Sequence, residues 1–310
     1  MAPRLTTQWG GHARADLQKR WGRESVYTYG RVDSTNSVAR KLAEADAPAG
    51  AIVLSREQSE GRGRGGHTWA SPAGRGVYLS MVFRPGALPS PALLPVLAGL
   101  GIVEALDRDF RGLRPALKWP NDIIAGELKV GGILAEAVWA DGTPRHLVVG
   151  VGINVRPAEL LPEELHGAGA LDDLLGTEVP LVKVADTIVA GLETYLPEPP
   201  ETLIAPLLER LDRYDWLRDK RITLTTETEP GASPPAPNSA ESGERGGDTA
   251  PSADGDAAPP AHEPGPGSQE PKETVVHGMW VGIAPDGAML FRPDRGALRR
   301  VSIGSVELAE

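Results

Sequence analysis

This chain of 310 residues predicts an α+β fold: a mixed, largely antiparallel sheet flanked by helices, followed by a small C-terminal β-barrel of the SH3 type. Three observations carry that expectation. Short apolar segments between residues 116 and 155 are joined by Gly and Asp turns, as consecutive β-hairpins are. Helical periodicity flanks these hairpins instead of alternating with them, which argues against a repeated βαβ array. The end of the chain reads as short strands interrupted by one long segment without a single large apolar residue.

Element by element, Val26–Tyr29 reads as a strand, and Asp33-Ser34-Thr35-Asn36 supplies cap chemistry for a helix over 37–45. A buried-type strand over 51–56 leads into a loop rich in glycine and arginine. Gly76–Phe83 is a second strongly apolar strand, stopped by Pro85, and 91–110 has helical periodicity with Ala, Leu and Val on one side. Strands follow at 116–118, Asp122–Ala125, 129–139 and 146–155, then helices at 182–196 and 201–216. Further strands are expected at 220–225, 274–283, 288–292 and 297–303, with Asp286-Gly287 as a hairpin turn. The expected organisation is an N-terminal extension (1–22), a catalytic domain (23–217) and an SH3-like domain (218–310) interrupted by an insert at about 226–274.

That insert dominates the charge. Residues 225–274 hold ten acidic groups against Arg245 and Lys272, leaving 30 basic and 32 acidic groups elsewhere. The formal net charge of −10 is therefore local, and the nearly neutral remainder argues against a general nucleic-acid binder. The insert's Pro/Gly/Ser/Ala composition cannot offset its ordering entropy, so it is expected to be a disordered spacer. The absence of cysteine excludes disulfides, thiolate metal sites and a cysteine nucleophile. No apolar run approaches the roughly 18 residues of a membrane span, and residues 1–21 lack the apolar core of a signal peptide. A soluble, cytoplasmic protein without membrane association is expected.

The chemistry concentrates in four clusters. Ser34, Thr35 and Asn36 offer hydroxyls and an amide to an uncharged polar ligand, or simply cap a helix. Gln58 leads into Gly61-Arg62-Gly63-Arg64-Gly65-Gly66-His67-Thr68-Trp69, where glycines permit close backbone approach and arginines present forked donors to phosphate or carboxylate oxygens. The run lacks the Gly-Lys-Ser/Thr ending of a P-loop. Lys118-Trp119-Pro120-Asn121-Asp122 sets a cation, an aromatic ring and two oxygen-bearing side chains at a strand end, or forms only a packed turn. Lys129 opens a strand beside Gly131 and Gly132, where it is either solvated or a cation for a bound anion.

In order and spacing, Ser34-Thr35-Asn36, Glu57-Gln58-x-x-Gly61-Arg62-Gly63-Arg64-x-Gly66-x-x-Trp69, Lys118-Trp119-Pro120-Asn121-Asp122, Lys129-x-x-Gly132-Ile133-Leu134 and Gly150-Val151-Gly152-Ile153-Asn154 resemble the biotin protein ligase family. The resemblance implies a fold related to class II aminoacyl-tRNA synthetases with an SH3-like domain after it. It implies that biotin and ATP, with Mg²⁺, form biotinyl-5′-AMP and pyrophosphate. The biotinyl group then passes to a lysine of a biotin carboxyl carrier domain of a biotin-dependent carboxylase.

In those roles Ser34, Thr35, Asn36, Gln58, Gly61, Arg62, Gly63, Arg64, Lys129 and Gly132 would meet biotin, with Ser34, Thr35 and Gln58 on its ureido head. Ile133 and Ala135 are expected to wall its apolar part. Arg62, Arg64, Trp69, Lys118, Asn121, Asp122, Lys129 and Asn154 would meet ATP or the adenylate. Lys129 and Arg62 would carry catalysis, and Asp122 is the carboxylate for a metal contact.

The loop departs from the family pattern at Gly65 and His67, where further basic residues are common, which weakens its positive field. Residues before the first catalytic strand look too few for a DNA-binding winged helix, so a monofunctional ligase with no specific DNA binding is expected. A homodimer along a sheet edge is compatible with the pattern but not required by it. Two rival readings remain: a lipoate or other acyl-protein ligase of the same superfamily, and a nucleic-acid-binding regulatory protein using the Gly/Arg loop.

Overall fold

Seven strands form the central sheet: β3 (Val26–Tyr29), β4 (Ile52–Ser55), β5 (Gly76–Phe83), β6 (Pro115–Lys118), β7 (Asp122–Ala125), β8 (Leu128–Ala140) and β9 (Thr143–Asn154). Their order is β3-β4-β5-β9-β8-β7-β6. Only β3 and β4 run parallel, with every other neighbouring pair antiparallel. The computed structural model describes residues 3–141, 143–157, 167–196, 201–228, 272–302 and 304–309. The mixed, largely antiparallel sheet flanked by helices expected from the sequence is what the chain adopts.

Alternation along the strands divides the sheet into two faces. Ile52, Leu54, Leu79, Met81, Val149, Val151 and Ile153 turn towards α3 (Leu93–Asp109) and α5 (Leu181–Tyr195) and build the main core. Val53, Val82 and Val148 turn the other way, against Val38, Ala39 and Ala43 of α2 (Thr35–Glu44). The same alternation corrects one expectation. Ile133 and Ala135 belong with the α3/α5 core and not with the ligand face, whereas Gly132 and Leu134 pair with Gly152 and Gly150 on the α2 side.

Two short strands, β1 (Gln8–Trp9) and β2 (His12–Ala13), and α1 (Arg14–Arg20) precede β3. Their polar, short segments give little periodicity, yet Leu17 and Trp9 are buried and Thr6 N bonds Thr28 O at 2.7 Å. Arg20 pairs with Asp186 of α5 at 2.5 Å. Downstream lie α4 (Leu171–Leu175) and α6 (Glu201–Asp212). The helix expected over 201–216 ends at Asp212, and in the turn that follows Tyr214 O and Trp216 N bond the backbone of Leu117, making an isolated parallel bridge between Asp215 and β6.

The C-terminal unit is a five-stranded sheet of β10 (Arg221–Thr228), β11 (Lys272–Ile283), β12 (Met289–Pro293), β13 (Arg299–Val301) and β14 (Ser305–Leu308), in the order β13-β12-β11-β10-β14. Pairing of β10 with β11 continues to Thr228 and Lys272, past the expected strand ends. The rest of the acidic insert lies outside the described residues. Ile222, Leu224, Trp280, Met289, Phe291 and Val306 join the main core, so the unit is packed onto the larger sheet.

Candidate functional site

The α2 face of the sheet carries a pocket built from small residues and neutral hydrogen bonds. Ser34 takes the N-cap position of α2 without making a capping bond through its side chain. Thr35 and Asn36 therefore fall in the first helical turn, buried and aimed at the strands. Thr35 donates to Gln58 Oε1 through its backbone N at 2.8 Å and through its hydroxyl at 3.1 Å. Gln58 Nε2 donates to Ser71 Oγ at 2.7 Å. Ser80 Oγ lies 2.8 Å from Thr35 Oγ1 and 2.6 Å from Asn36 Oδ1. Asn36 Nδ2 donates to Glu136 Oε2 at 2.7 Å, and Arg62 Nη2 reaches the same oxygen at 3.0 Å. A continuous chain of bonds thus runs from Ser71 to Arg62.

Gly150, Gly152 and Gly132 form the floor, and each is kept bare by what lies above it. A β-carbon at Gly150 would collide with Asn36 Oδ1, and one at Gly152 with Trp69 Nε1. At Gly132 it would stand 3.2 Å from the Trp69 ring. Trp69 Nε1 is buried with no hydrogen-bond partner among the described residues. Such an orphan donor costs about 1–3 kcal/mol in a protein interior, which marks the floor as a place where a ligand acceptor would be favourable.

Asp122 and Lys129 lie at the edge of this floor. Lys129 Nζ is 2.6 Å from Asp122 Oδ1 and 5.6 Å from the Trp69 ring centroid. Asn121 is tied to the strand beside them, its Nδ2 donating to Ile133 O at 3.0 Å. Asn154 ends β9 opposite Gly76, on the same face as Gly152. Lys118, at the end of β6, is held below the usual lysine range first by burial, with Lys129 and Lys220 adding to the effect and Asp122 opposing it.

The Gly/Arg loop bends over the pocket through a 3-10 turn at Arg64–Gly66, where Gly65 and Gly66 take positive φ. Its two arginines separate. Arg62 stays at the pocket, bound to Glu136. Arg64 turns to the C-terminal unit: its Nη1 donates to Gly304 O at 2.9 Å and its guanidinium stands 5.9 Å from the Trp119 ring centroid. Burial lowers the pKa of Arg64 from its ordinary value, with Asp122 opposing.

Trp119, followed by a cis bond to Pro120, is fully buried at the junction of the two units. Its Nε1 donates to Gly287 O at 2.9 Å, and its ring lies 6.5 Å from Trp280. Trp280 Nε1 in turn donates to Asp215 Oδ2 at 2.6 Å.

The structure therefore brings together Thr35, Asn36, Gln58, Arg62, Trp69, Gly132 and, at the rim, Lys129 with Asp122, while Arg64 and Lys118 face the junction. Sequence reasoning gave no role to Ser71, Ser80, Glu136, Gly150 or Gly152. The readable signal was Ser80, a lone polar residue within the otherwise apolar Gly76–Phe83, and Glu136 in an apolar strand.

Residues 29–154 match the biotin/lipoate A/B protein ligase family. The bifunctional ligase/repressor BirA of Bacillus subtilis is 33% identical over 166 residues, which is 52% of this chain and 50% of that protein. The biotin–[acetyl-CoA-carboxylase] ligase of Paracoccus denitrificans is 40% identical over 130 residues, 41% of this chain and 53% of that one. The chain thus spans about half the length of these curated relatives. A solved biotin protein ligase from Aquifex aeolicus, in complex with biotin and ATP, superposes with a TM-score of 0.62 over 92% of this chain and 100% of that one, at 22% identity.

Proposed function

We propose, from the match of residues 29–154 to the biotin/lipoate A/B protein ligase family, that this chain is an ATP-dependent biotin protein ligase. It would form biotinyl-5′-AMP and pass the biotinyl group to a lysine of a biotin carboxyl carrier domain in a carboxylase. The observation that carries the reading is the neutral hydrogen-bond chain Ser71–Gln58–Thr35–Ser80–Asn36 over a glycine floor, with cations only at its rim. An uncharged ureido head needs both donors and acceptors, and leaving one unpaired in a buried site is costly. A carboxylate at the far end of the same ligand would meet Lys129 and Arg62.

In the first step a biotin carboxylate oxygen attacks the α-phosphorus, and the bond from that phosphorus to the β-phosphate oxygen breaks. Lys129 would bridge the two anions, leaving Asp122 to do so, and Arg62 would turn from Glu136 to the carboxylate. Mg²⁺ would enter on the nucleotide and offset phosphate charge. Among the described residues no group of three or more His, Asp or Glu is arranged to hold a metal. Asp122, beside Lys129, would supply a carboxylate contact to such an ion. The Gly/Arg loop would shield the mixed anhydride from water.

We also read the five-stranded C-terminal sheet as an SH3-like barrel and the larger sheet as a class II synthetase-like frame, with 23–217 as the catalytic unit. Among the described residues no helix is long and apolar enough to cross a membrane; the cytoplasmic location is part of the proposal. A lipoate ligase is disfavoured because lipoate has no ureido group for the Thr35/Gln58 set. A nucleic-acid role is disfavoured because Arg62 and Arg64 both engage groups within the chain. The test is intact-mass spectrometry of a biotin carboxyl carrier domain incubated with the protein, ATP, Mg²⁺ and either biotin or lipoate. One biotinyl addition, and none with lipoate, is expected. If neither carrier labelling nor acid-dependent pyrophosphate release occurs, the ligase reading fails.

A further inference from the structure

Three lysines gather where the larger sheet meets the C-terminal unit, and only Lys129 has a carboxylate within 3 Å among the described residues. Lys129 has Asp122 at 2.6 Å. Lys118 makes no ion pair among the described residues; its ammonium stands 5.7 Å from the Trp216 ring centroid. Lys220, immediately before β10, sits 3.5 Å from the centroid of that same ring. Its only acidic neighbour at ion-pair distance among the described residues is Glu127 at 3.6 Å, whose side chain is 74% exposed and well screened. Lys118 lies within electrostatic reach of both Lys129 and Lys220, with Asp122 and Glu307 opposing them in part. Trp216 Nε1, beside these ammonium groups, is buried without a partner among the described residues. A bond from Trp216 N to Leu117 O fixes the backbone from which the ring projects. Like charges and an unpaired donor gathered at one aromatic ring cost free energy that a bound anion would offset.

We propose that Lys220, with Lys118, receives the β- and γ-phosphate oxygens of ATP and holds pyrophosphate as it leaves. The inference rests on the ligase reading above and deepens it. Adenylate formation breaks the bond between the α-phosphorus and the β-phosphate oxygen, and the electron pair leaves on pyrophosphate. The chain of lysines from Lys129 through Lys118 to Lys220 gives that departing charge a path away from the carboxylate. Trp216 acts as a positioning residue that keeps both flexible lysine stems at one place. None of the sequence motifs that mark the family contains Lys220 or Trp216.

The test compares wild type, Lys220→Gln and Lys220→Arg in two assays. In pyrophosphate release from biotin and ATP, Lys220→Gln should raise the KM for ATP about tenfold, the size of one lost charge-assisted contact, and leave the KM for biotin unchanged. Pyrophosphate should inhibit that variant correspondingly less, and Lys220→Arg should recover most of both effects. In transfer from pre-formed biotinyl-5′-adenylate to a carrier domain, which involves no pyrophosphate, the Lys220→Gln and wild-type rates should agree. Unchanged ATP KM and pyrophosphate inhibition would overturn the assignment. So would an equal rise in both KM values or a parallel loss of transfer, since these mark a structural role. A wild-type protein inactive in both assays would instead sink the ligase reading, and the inference with it.

Discussion

The pocket under α2 and the junction with the C-terminal unit lie side by side on one sheet, yet they are built on opposite electrostatic rules. In the pocket nearly every polar group is neutral and bonded, from Ser71 through Gln58, Thr35 and Ser80 to Asn36. At the junction, cations stand over aromatic rings, Arg64 over Trp119 and Lys118 and Lys220 over Trp216, and the one carboxylate paired with them there among the described residues, Glu127 on Lys220, is largely exposed. Aromatic faces stabilise a cation only modestly, by about 0.5–2 kcal/mol, and leave its charge available to a ligand. A satisfied neutral network discriminates shape and hydrogen-bond pattern, whereas uncompensated cations attract polyanions with little regard for shape. The proposed joining of a mostly neutral acid to a nucleotide would use one of each, with Lys129 between them.

The largest expected effect falls on that dividing residue. Lys129→Ala should slow adenylate formation by at least ~100-fold, the scale of one lost electrostatic contact to a transition state. Single-turnover pyrophosphate release measures it. A variant that keeps near-normal turnover would mean that the two regions do not meet at Lys129.

Gly150→Ala tests the neutral side alone. Its methyl group would collide with Asn36 Oδ1, and overpacking of this kind costs about 1–3 kcal/mol. The KM for biotin should rise about tenfold with the KM for ATP little altered. A rise confined to ATP would show that the pocket holds the nucleotide instead.

Arg64→Ala addresses the link between the regions. Arg64 ties the loop to Gly304 of the C-terminal unit, so its removal should loosen the loop proposed to cover the adenylate. Biotinyl-5′-adenylate, followed by release into a chase of unlabelled ligand, should leave roughly tenfold faster, the effect of one charge-assisted bond. Equal release rates would refute a retaining role for Arg64 and for the loop it anchors.

How far the sequence foretold this arrangement differs between the two regions, for a physical reason. The pocket is made by local patterns: a cap sequence before α2, a glycine loop after β4, and alternation along β8 and β9, so most of its residues were readable. Alternation itself was not assigned a direction, and Ile133 and Ala135 proved to face the α3/α5 core. Ser80 and Glu136 complete the network from strands where a polar residue among apolar ones was the sign to read. The junction depends on contacts across long stretches of chain, such as Arg64 with Gly304 and Trp119 with Gly287. No local period encodes those, and Lys220 and Trp216 gave no signal before the units were seen packed together.

The smallest expected effect concerns the polar bond that closes the junction. Burial raises the pKa of Asp215 from 3.8 to about 6, against the opposing hydrogen bonds from Trp280 and Leu217 N. A carboxyl group raised on folding binds more protons folded than unfolded between those two values, so its contribution to stability grows as pH falls through 6 towards 3.8. His146 works in the opposite sense: burial first, and Arg84 next, hold it below its ordinary value, so it disfavours the folded state on acidification. Wild type alone would therefore show a blurred profile. The difference between wild type and Asp215→Asn removes the histidine, which both proteins share. Over pH 7 to 5 that difference should shift in favour of wild type by about 1 kcal/mol, read as Tm or chemical-denaturation midpoints. A pH-independent difference would mean that Asp215 stays ionised and that Trp280 holds the junction through an ordinary carboxylate.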